Sequence, residues 1–340
     1  MANRCRAEDC AGMKRFLDLP LNERRELITE AAARRGISAV IIEKDFWVCL
    51  VLEKLFQSDF GDHLTFKGGT SLSKAYGLIS RFSEDIDLTL DKAFINRFGN
   101  ATSVAPSKIT KQAKKVIKEH LLPALQAALK DHGKCSISSD DEQTILFEYE
   151  SVIGEGLDYI PKRIKIEFGA RGEMEPNIQK SVTPYLAETL PEVFDGDVPQ
   201  ISVTALTAER TFWEKATILH SLAHQPKERG LQDRMSRHYH DLLMLAQNAE
   251  LLKNALNDPA LLAKVVAHKR EYFKEQWDWY DSAKRGTLKI LPPPHLLKTV
   301  EKDYNKMNVM LFDQEPVSFA ELLEGLETLE RQINASTDDH

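Results

Sequence analysis

One stretch of this 340-residue chain constrains its fold more than any other: Phe66-Lys67-Gly68-Gly69-Thr70-Ser71-Leu72-Ser73-Lys74, followed by Arg81-Phe82-Ser83-Glu84-Asp85-Ile86-Asp87-Leu88. Gly68 and Gly69 let the backbone turn tightly and approach a ligand closely. Thr70, Ser71 and Ser73 supply hydroxyls, and Thr70 or Ser71 can cap a helix reading from Leu72 to Ile79. Free N–H groups at a helix start favour a phosphate. Asp85-Ile86-Asp87-Leu88-Thr89-Leu90 alternates polar and apolar. On a strand, that period places Asp85 and Asp87 on one face and Ile86, Leu88 and Leu90 on the other. Two carboxylates on one face suit a divalent cation that bridges a triphosphate.

Taken alone, Gly-Gly-Thr is a turn and Asp-x-Asp a solvated strand face. Their order is more telling: strand, glycine turn, helix, then a second strand carrying the two aspartates. This order resembles the signature of polymerase-β-type nucleotidyltransferases. The fuller string, Lys67 to Ser73 with Arg81 to Leu88, resembles a narrower group, the AbiEii/AbiGii-type nucleotidyltransferase toxins of bacteria. The gap between Thr70 and Asp85 is longer than is common in the wider superfamily and suits the narrower one.

Composition bounds the alternatives. A hydrophobic content of 42% is ordinary for a globular chain. No apolar run is long enough for a membrane span, and the first ten residues lack a signal-peptide core, so a cytoplasmic protein is expected. Cys5, Cys10, Cys49 and Cys135 form no CxxC pair, which excludes a zinc ribbon or a disulfide framework. Cys49 falls in an apolar helix and reads as core. The net charge of −7 argues against a generic, charge-driven nucleic-acid binder. Lys111, Lys114, Lys115 and Lys118 lie at helical spacing, as a solvated face or a local phosphate contact.

The pattern predicts a mixed α+β fold in three sections: N-terminal helices over 1–63, a nucleotidyltransferase core with a mixed sheet over 64–205, and a helical domain over 206–340. Helices begin at Leu21 and near Ile37. Glu43-Lys44-Asp45-Phe46-Trp47 in the second resembles a stretch of the same toxin family and reads mainly as packing. One long helix is expected from Ser107 to Leu129, with strands at Gln143–Tyr149, Arg163–Gly169 and Gln200–Val203. Thr207 is expected to cap a helix reaching about His224, and Ser236 another. A last helix covers Phe319 to Asn334, and the tail 336–340 reads as disordered.

Four further positions break their local pattern. Glu167 shares a strand face with Arg163 and Lys165, as a third metal carboxylate or as part of a surface ion-pair face. Lys215 lies in the apolar stripe of Phe212, Ala216, Leu219, Leu222 and Ala223. A buried lysine either snorkels to water or meets an anion. Asp241 sits on the partly apolar flank of Met244 and Leu245. His220 and His224 have zinc-compatible spacing but lack the H-E-x-x-H glutamate, so satisfied helix histidines are favoured.

The resemblance extends to Thr211-Phe212-Trp213-Glu214-Lys215, to Arg237-His238-Tyr239-His240-Asp241-Leu242, and to Trp277-Asp278-Trp279-Tyr280, Asp303-Tyr304 and Met307. His240 stands where the family usually has a basic residue. The resemblance implies NMP transfer from an NTP with release of pyrophosphate, two magnesium ions on Asp85, Asp87 and Glu167, and nucleotide contacts from Lys67, Gly68, Gly69, Thr70, Ser71, Lys74 and Lys215. It assigns Asp241 to orienting Lys215 or to deprotonating the acceptor. It further implies a phage-defence toxin, a cognate antitoxin, and the 3′ end of tRNA as acceptor. Transfer to a small molecule or protein hydroxyl, or a non-catalytic nucleotide-binding module, are the alternatives.

Overall fold

The computed structural model describes residues 11–98, 106–154, 161–273, 278–307, 310–312 and 316–335. Cys5, Cys10, Trp277 and the tail 336–340 lie outside them. The chain forms two compact units, 1–75 with 83–205, and 76–82 with 206–340. The N-terminal helices fall in the first unit together with the sheet. Tyr76–Phe82 belongs to the second unit.

The first unit begins with α1 (Ala11–Asp18), α2 (Leu21–Arg35) and α3 (Ala39–Gln57). Gly36 ends α2 with φ +68°, returning its N–H to Ala32 and Ala33, and Ser38 caps α3 through the Val40 amide. Every residue of α3 from Val40 to Glu53 is buried, so this helix has no solvent face. Trp47 stacks on Tyr149 with ring centroids 5.2 Å apart. Each large apolar side chain buried here contributes about 1.5–3 kcal/mol.

Then follow β1 (Leu64–Lys67), α4 (Gly68–Lys74), β2 (Ile86–Leu90), α5 (Lys92–Phe98), α6 (Pro106–Val116), α7 (Leu122–Ala128), β3 (Gly133–Ile137), β4 (Thr144–Tyr149), β5 (Ile164–Gly169), β6 (Asn177–Val182), α8 (Tyr185–Thr189) and β7 (Ile201–Leu206). The seven strands form one mixed sheet in the order β3-β4-β5-β2-β1-β7-β6. β1 is antiparallel to β2, and β2 is parallel to β5. Ile86, Leu88 and Leu90 are fully buried, as are Ile164 and Ile166. The expected alternation of β2 and β5 thus places their polar positions on the opposite face.

The long helix expected from 107 to 129 is divided by a π-helical turn at Ile117–Leu121, with Pro123 in the first turn of α7. Proline lacks the N–H that an uninterrupted α-helix needs there. The expected helix over 72–79 instead starts at Gly68 and ends at Lys74, so Thr70 and Ser71 lie within its first turns rather than capping it.

The second unit is helical: α9 (Ala208–Ala223), α10 (Ser236–Gln247), α11 (Ala249–Asn257), α12 (Pro259–Tyr272), α13 (Leu297–Met307) and α14 (Phe319–Ala335). Thr207 caps α9 by accepting from the Arg210 amide. Ser236 is the first residue of α10, not its cap, and its amide is taken by Asp303. Among the described residues no helix is long and apolar enough to cross a membrane.

Candidate active site

Strand register builds the first unit's site. Lys67 of β1 lies opposite Asp87 of β2, Asp87 beside Glu167 of β5, and Glu167 opposite Thr144 of β4. A lysine, an aspartate and a glutamate therefore occupy one row across three adjacent strands. Asp85 immediately precedes β2.

Gly68 is required twice over. Its φ is +77°, a region unfavourable to side chains, and an added Cβ would fall 2.1 Å from Asp87 Oδ2. The glycine turn and the aspartate strand thus meet in direct contact. Burial pushes the Asp87 carboxyl up to about 7, and the nearby charges of Glu167 and Asp85 add to the rise while Lys67 opposes it. Burial is thus the first reason this carboxyl resists ionisation, with the neighbouring carboxylates adding to it. Glu167 pairs with Lys165 on its own strand.

Three carboxylates of this kind are hard oxygen donors suited to a divalent cation. Among the described residues, no group of three or more His, Cys, Asp or Glu side chains is arranged to hold a metal ion.

The hydroxyls of α4 are placed differently from expectation. Thr70 is fully buried, and its Oγ1 donates to the Asp85 carbonyl, tying α4 to the aspartate segment. Ser71 is buried with its Oγ lacking a partner. Lys74, expected as a nucleotide contact, is held by the protein's own groups. Its ammonium donates to Asp45 Oδ1 at 2.8 Å and to the Thr183 carbonyl at 2.7 Å, and lies 3.5 Å from the Tyr185 ring centroid. Its charge is neutralised inside the protein.

In the second unit, Lys215 does not snorkel. It is 6% exposed and its ammonium donates to Asp241 Oδ2 at 2.8 Å. Arg81 grips the same carboxylate with both forks, Nε to Oδ1 at 2.7 Å and Nη2 to Oδ2 at 2.8 Å. Against the cost of burial, Arg81 and Lys215 hold Asp241 well below the usual carboxylate range. His240 Nδ1 lies 3.4 Å from Asp241 Oδ1. Burial, reinforced by Lys215, keeps the neighbouring His238 neutral, well below the ordinary histidine value. Sequence reasoning missed Arg81 as a partner of Asp241, although Arg81 opens the very string that carries the aspartates. The separation of 160 positions hides the pairing.

The remaining candidates resolve simply. His220 accepts the Lys289 amide at Nδ1, so its Nε2 carries the proton toward Trp279 O and Ser282. Burial lowers it to about 4, and His224 Nδ1 lies 2.9 Å from the His220 carbonyl. Lys114 pairs with Glu142 and Lys115 with Glu119. Cys49 is fully buried, as expected.

No curated protein matches. The nucleotidyltransferase toxin MenT4 of Mycobacterium tuberculosis H37Rv is similar in structure, at 17% identity and a TM-score of 0.49, over 92% of this chain and 90% of that one. The weight rests on a family model, "Nucleotidyl transferase AbiEii toxin, Type IV TA system", which matches residues 50–325 and so takes in the glycine turn, the carboxylate row and the Lys215–Asp241 pair. The chain belongs to the AbiEii family and is a nucleotidyltransferase toxin of the type IV toxin–antitoxin class.

Proposed function

We propose that the chain transfers NMP from an NTP to an acceptor hydroxyl, with Asp85, Asp87 and Glu167 as the carboxylates of the reaction. The observation that supports this is the Asp87 carboxyl, raised by burial and by its two acidic neighbours directly behind the glycine turn. Two magnesium ions held by these three residues would polarise the α-phosphate and neutralise the departing pyrophosphate. Lys67, opposite Asp87 in the β1–β2 register, supplies a positive charge at the same row. The first-turn amides of α4, at Gly68, Gly69 and Thr70, have no intrahelical partner by position, and we assign them to the triphosphate. Thr70 and Ser71 contribute there through backbone rather than hydroxyl.

We assign Lys215 to the phosphates as well. Arg81 and Lys215 both donate to one carboxylate, Asp241, and the motif resemblance of Thr211 to Lys215 supports the assignment. Asp241 then orients Lys215. Its strongly lowered pKa argues against a role as general base, because a base of catalysis works best near ambient pH.

For the acceptor we infer the 3′ end of tRNA, on the strength of the motif resemblance. A protein or small-molecule hydroxyl is the second reading, favoured by the net charge of −7. Labelled NTP offered with a tRNA pool and, separately, with total protein decides between them. Label in the RNA supports the first, and label in protein alone overturns it. A cognate antitoxin is the expected protein partner in the cytoplasm, with phage defence as the setting.

A further inference from the structure

Helix α3 carries three consecutive charged residues, Glu43, Lys44 and Asp45, on a helix without a solvent face. They are 2%, 1% and 2% exposed. Successive helical residues point about 100° apart, so the three charges leave α3 in three directions. Charged groups are held this deeply only when each is matched.

Each is matched to a different segment. Glu43 accepts the Val152 and Ile153 amides and the Ser151 hydroxyl, which closes the turn after β4. Lys44 donates to Glu84 Oε2 at 2.5 Å and to the Pro161 carbonyl at 2.6 Å. Asp45 takes the Lys74 ammonium at 2.8 Å on Oδ1 and the Tyr185 amide at 2.6 Å on Oδ2. Glu84 directly precedes Asp85, and Lys74 is the last residue of α4. The second and third contacts therefore reach the two halves of the glycine-turn and aspartate motif.

We propose that Lys44 and Asp45 are positioning residues: through Glu84 and Lys74 they fix the aspartate segment and the glycine-turn helix against one helix, α3. The inference rests on Asp85 and Asp87 being carboxylates of transfer. It also separates Glu84 from its acidic neighbours. Glu84 is 4% exposed and directed at Lys44, so it holds the segment and binds no cation. Displacing reacting groups by about 1 Å can cost roughly 10²-fold in rate, which sets the size of the effect.

The double variant Lys44→Met with Glu84→Gln removes both buried charges together and avoids the isolated charge that either single change leaves. It is expected to melt near wild type. Its transfer rate at saturating NTP should fall roughly 10²-fold, with KM for NTP within about twofold of wild type. Glu84→Asp keeps the charge and shortens the reach by one methylene. It should fold and show the same loss in kcat at unchanged KM, which keeps the test open should the double variant fail to fold. A wild-type kcat in either folded variant overturns the proposal, since the pair would then serve stability alone. Asp87→Asn is run beside them. Transfer that survives in Asp87→Asn would indict the carboxylate assignment instead of the clamp.

Discussion

Replacing Asp87 by asparagine should stabilise the metal-free protein while abolishing its activity. Burial pushes the Asp87 carboxyl from an ordinary 3.8 up to about 7, against the opposing charge of Lys67 and with Glu167 and Asp85 adding to the rise. The sign follows from linkage. Between the two values the folded protein binds more protons at this group than the unfolded chain, so stability falls as pH rises from about 4 through about 7. A shift of roughly three units corresponds to about 4 kcal/mol at most, at 1.36 kcal/mol per unit. Partial exposure of the residue reduces this to about 2–4 kcal/mol. Asparagine has nearly the same shape and no charge. In EDTA at pH 8.5, Asp87→Asn should therefore melt roughly 5–15 °C above wild type. At pH 5 the difference should shrink to roughly a third, because the folded group is protonated there while the unfolded one is already ionised. Magnesium should raise the wild-type melting temperature at pH 8.5 and leave the variant little changed. Thermal melts at the two pH values with and without Mg²⁺ make the check. An Asp87→Asn protein that melts below wild type at pH 8.5, or transfers nucleotide normally, refutes the reasoning.

Three other changes have definite outcomes. Gly68→Ala forces a side chain into φ +77° and against Asp87 Oδ2; it should cost about 1–3 kcal/mol in melts and impair transfer, and a neutral effect on both would contradict the close approach. Lys215→Met leaves Asp241 gripped by Arg81, so the protein should fold while single-turnover transfer drops by roughly 10²–10³; an unchanged rate would refute the phosphate role. Asp241→Asn leaves two buried cations without their anion and should destabilise by about 3–5 kcal/mol, read by urea unfolding; a wild-type midpoint would show that the carboxylate is not their counter-charge.

The aspartate strand was legible because period-two alternation and burial on one face are the same fact in sequence and in structure. Ile86, Leu88 and Leu90 are buried and Asp87 is turned the other way. Glu167 was legible for the same reason on β5. Thr207 was legible as a cap, being a local signal. The misreadings share a different physics. Glu43, Lys44 and Asp45 read as packing and are buried, but the distant partners of their charges are not visible in the sequence. Lys74 reads as a phosphate ligand until its distant partners Asp45 and Thr183 are in view. Thr70 reads as a cap, yet the helix starts two residues earlier, since Gly68 takes the turn itself. β3 and β6 escape notice because they are short and carry mixed faces, Gly133-Lys134-Cys135-Ser136-Ile137 and Asn177-Ile178-Gln179-Lys180-Ser181-Val182. The Arg81–Asp241 clamp depends on tertiary contact alone.

The central claim is that the carboxylate row of Asp85, Asp87 and Glu167 performs nucleotidyl transfer. Its most direct test supplies each α-labelled NTP with Mg²⁺ and a tRNA pool to the wild-type protein and to Asp85→Asn, and follows labelled RNA together with released pyrophosphate. The account predicts label on the RNA with equimolar pyrophosphate for the wild type, and neither for a folded Asp85→Asn. Undiminished labelling by Asp85→Asn would contradict it.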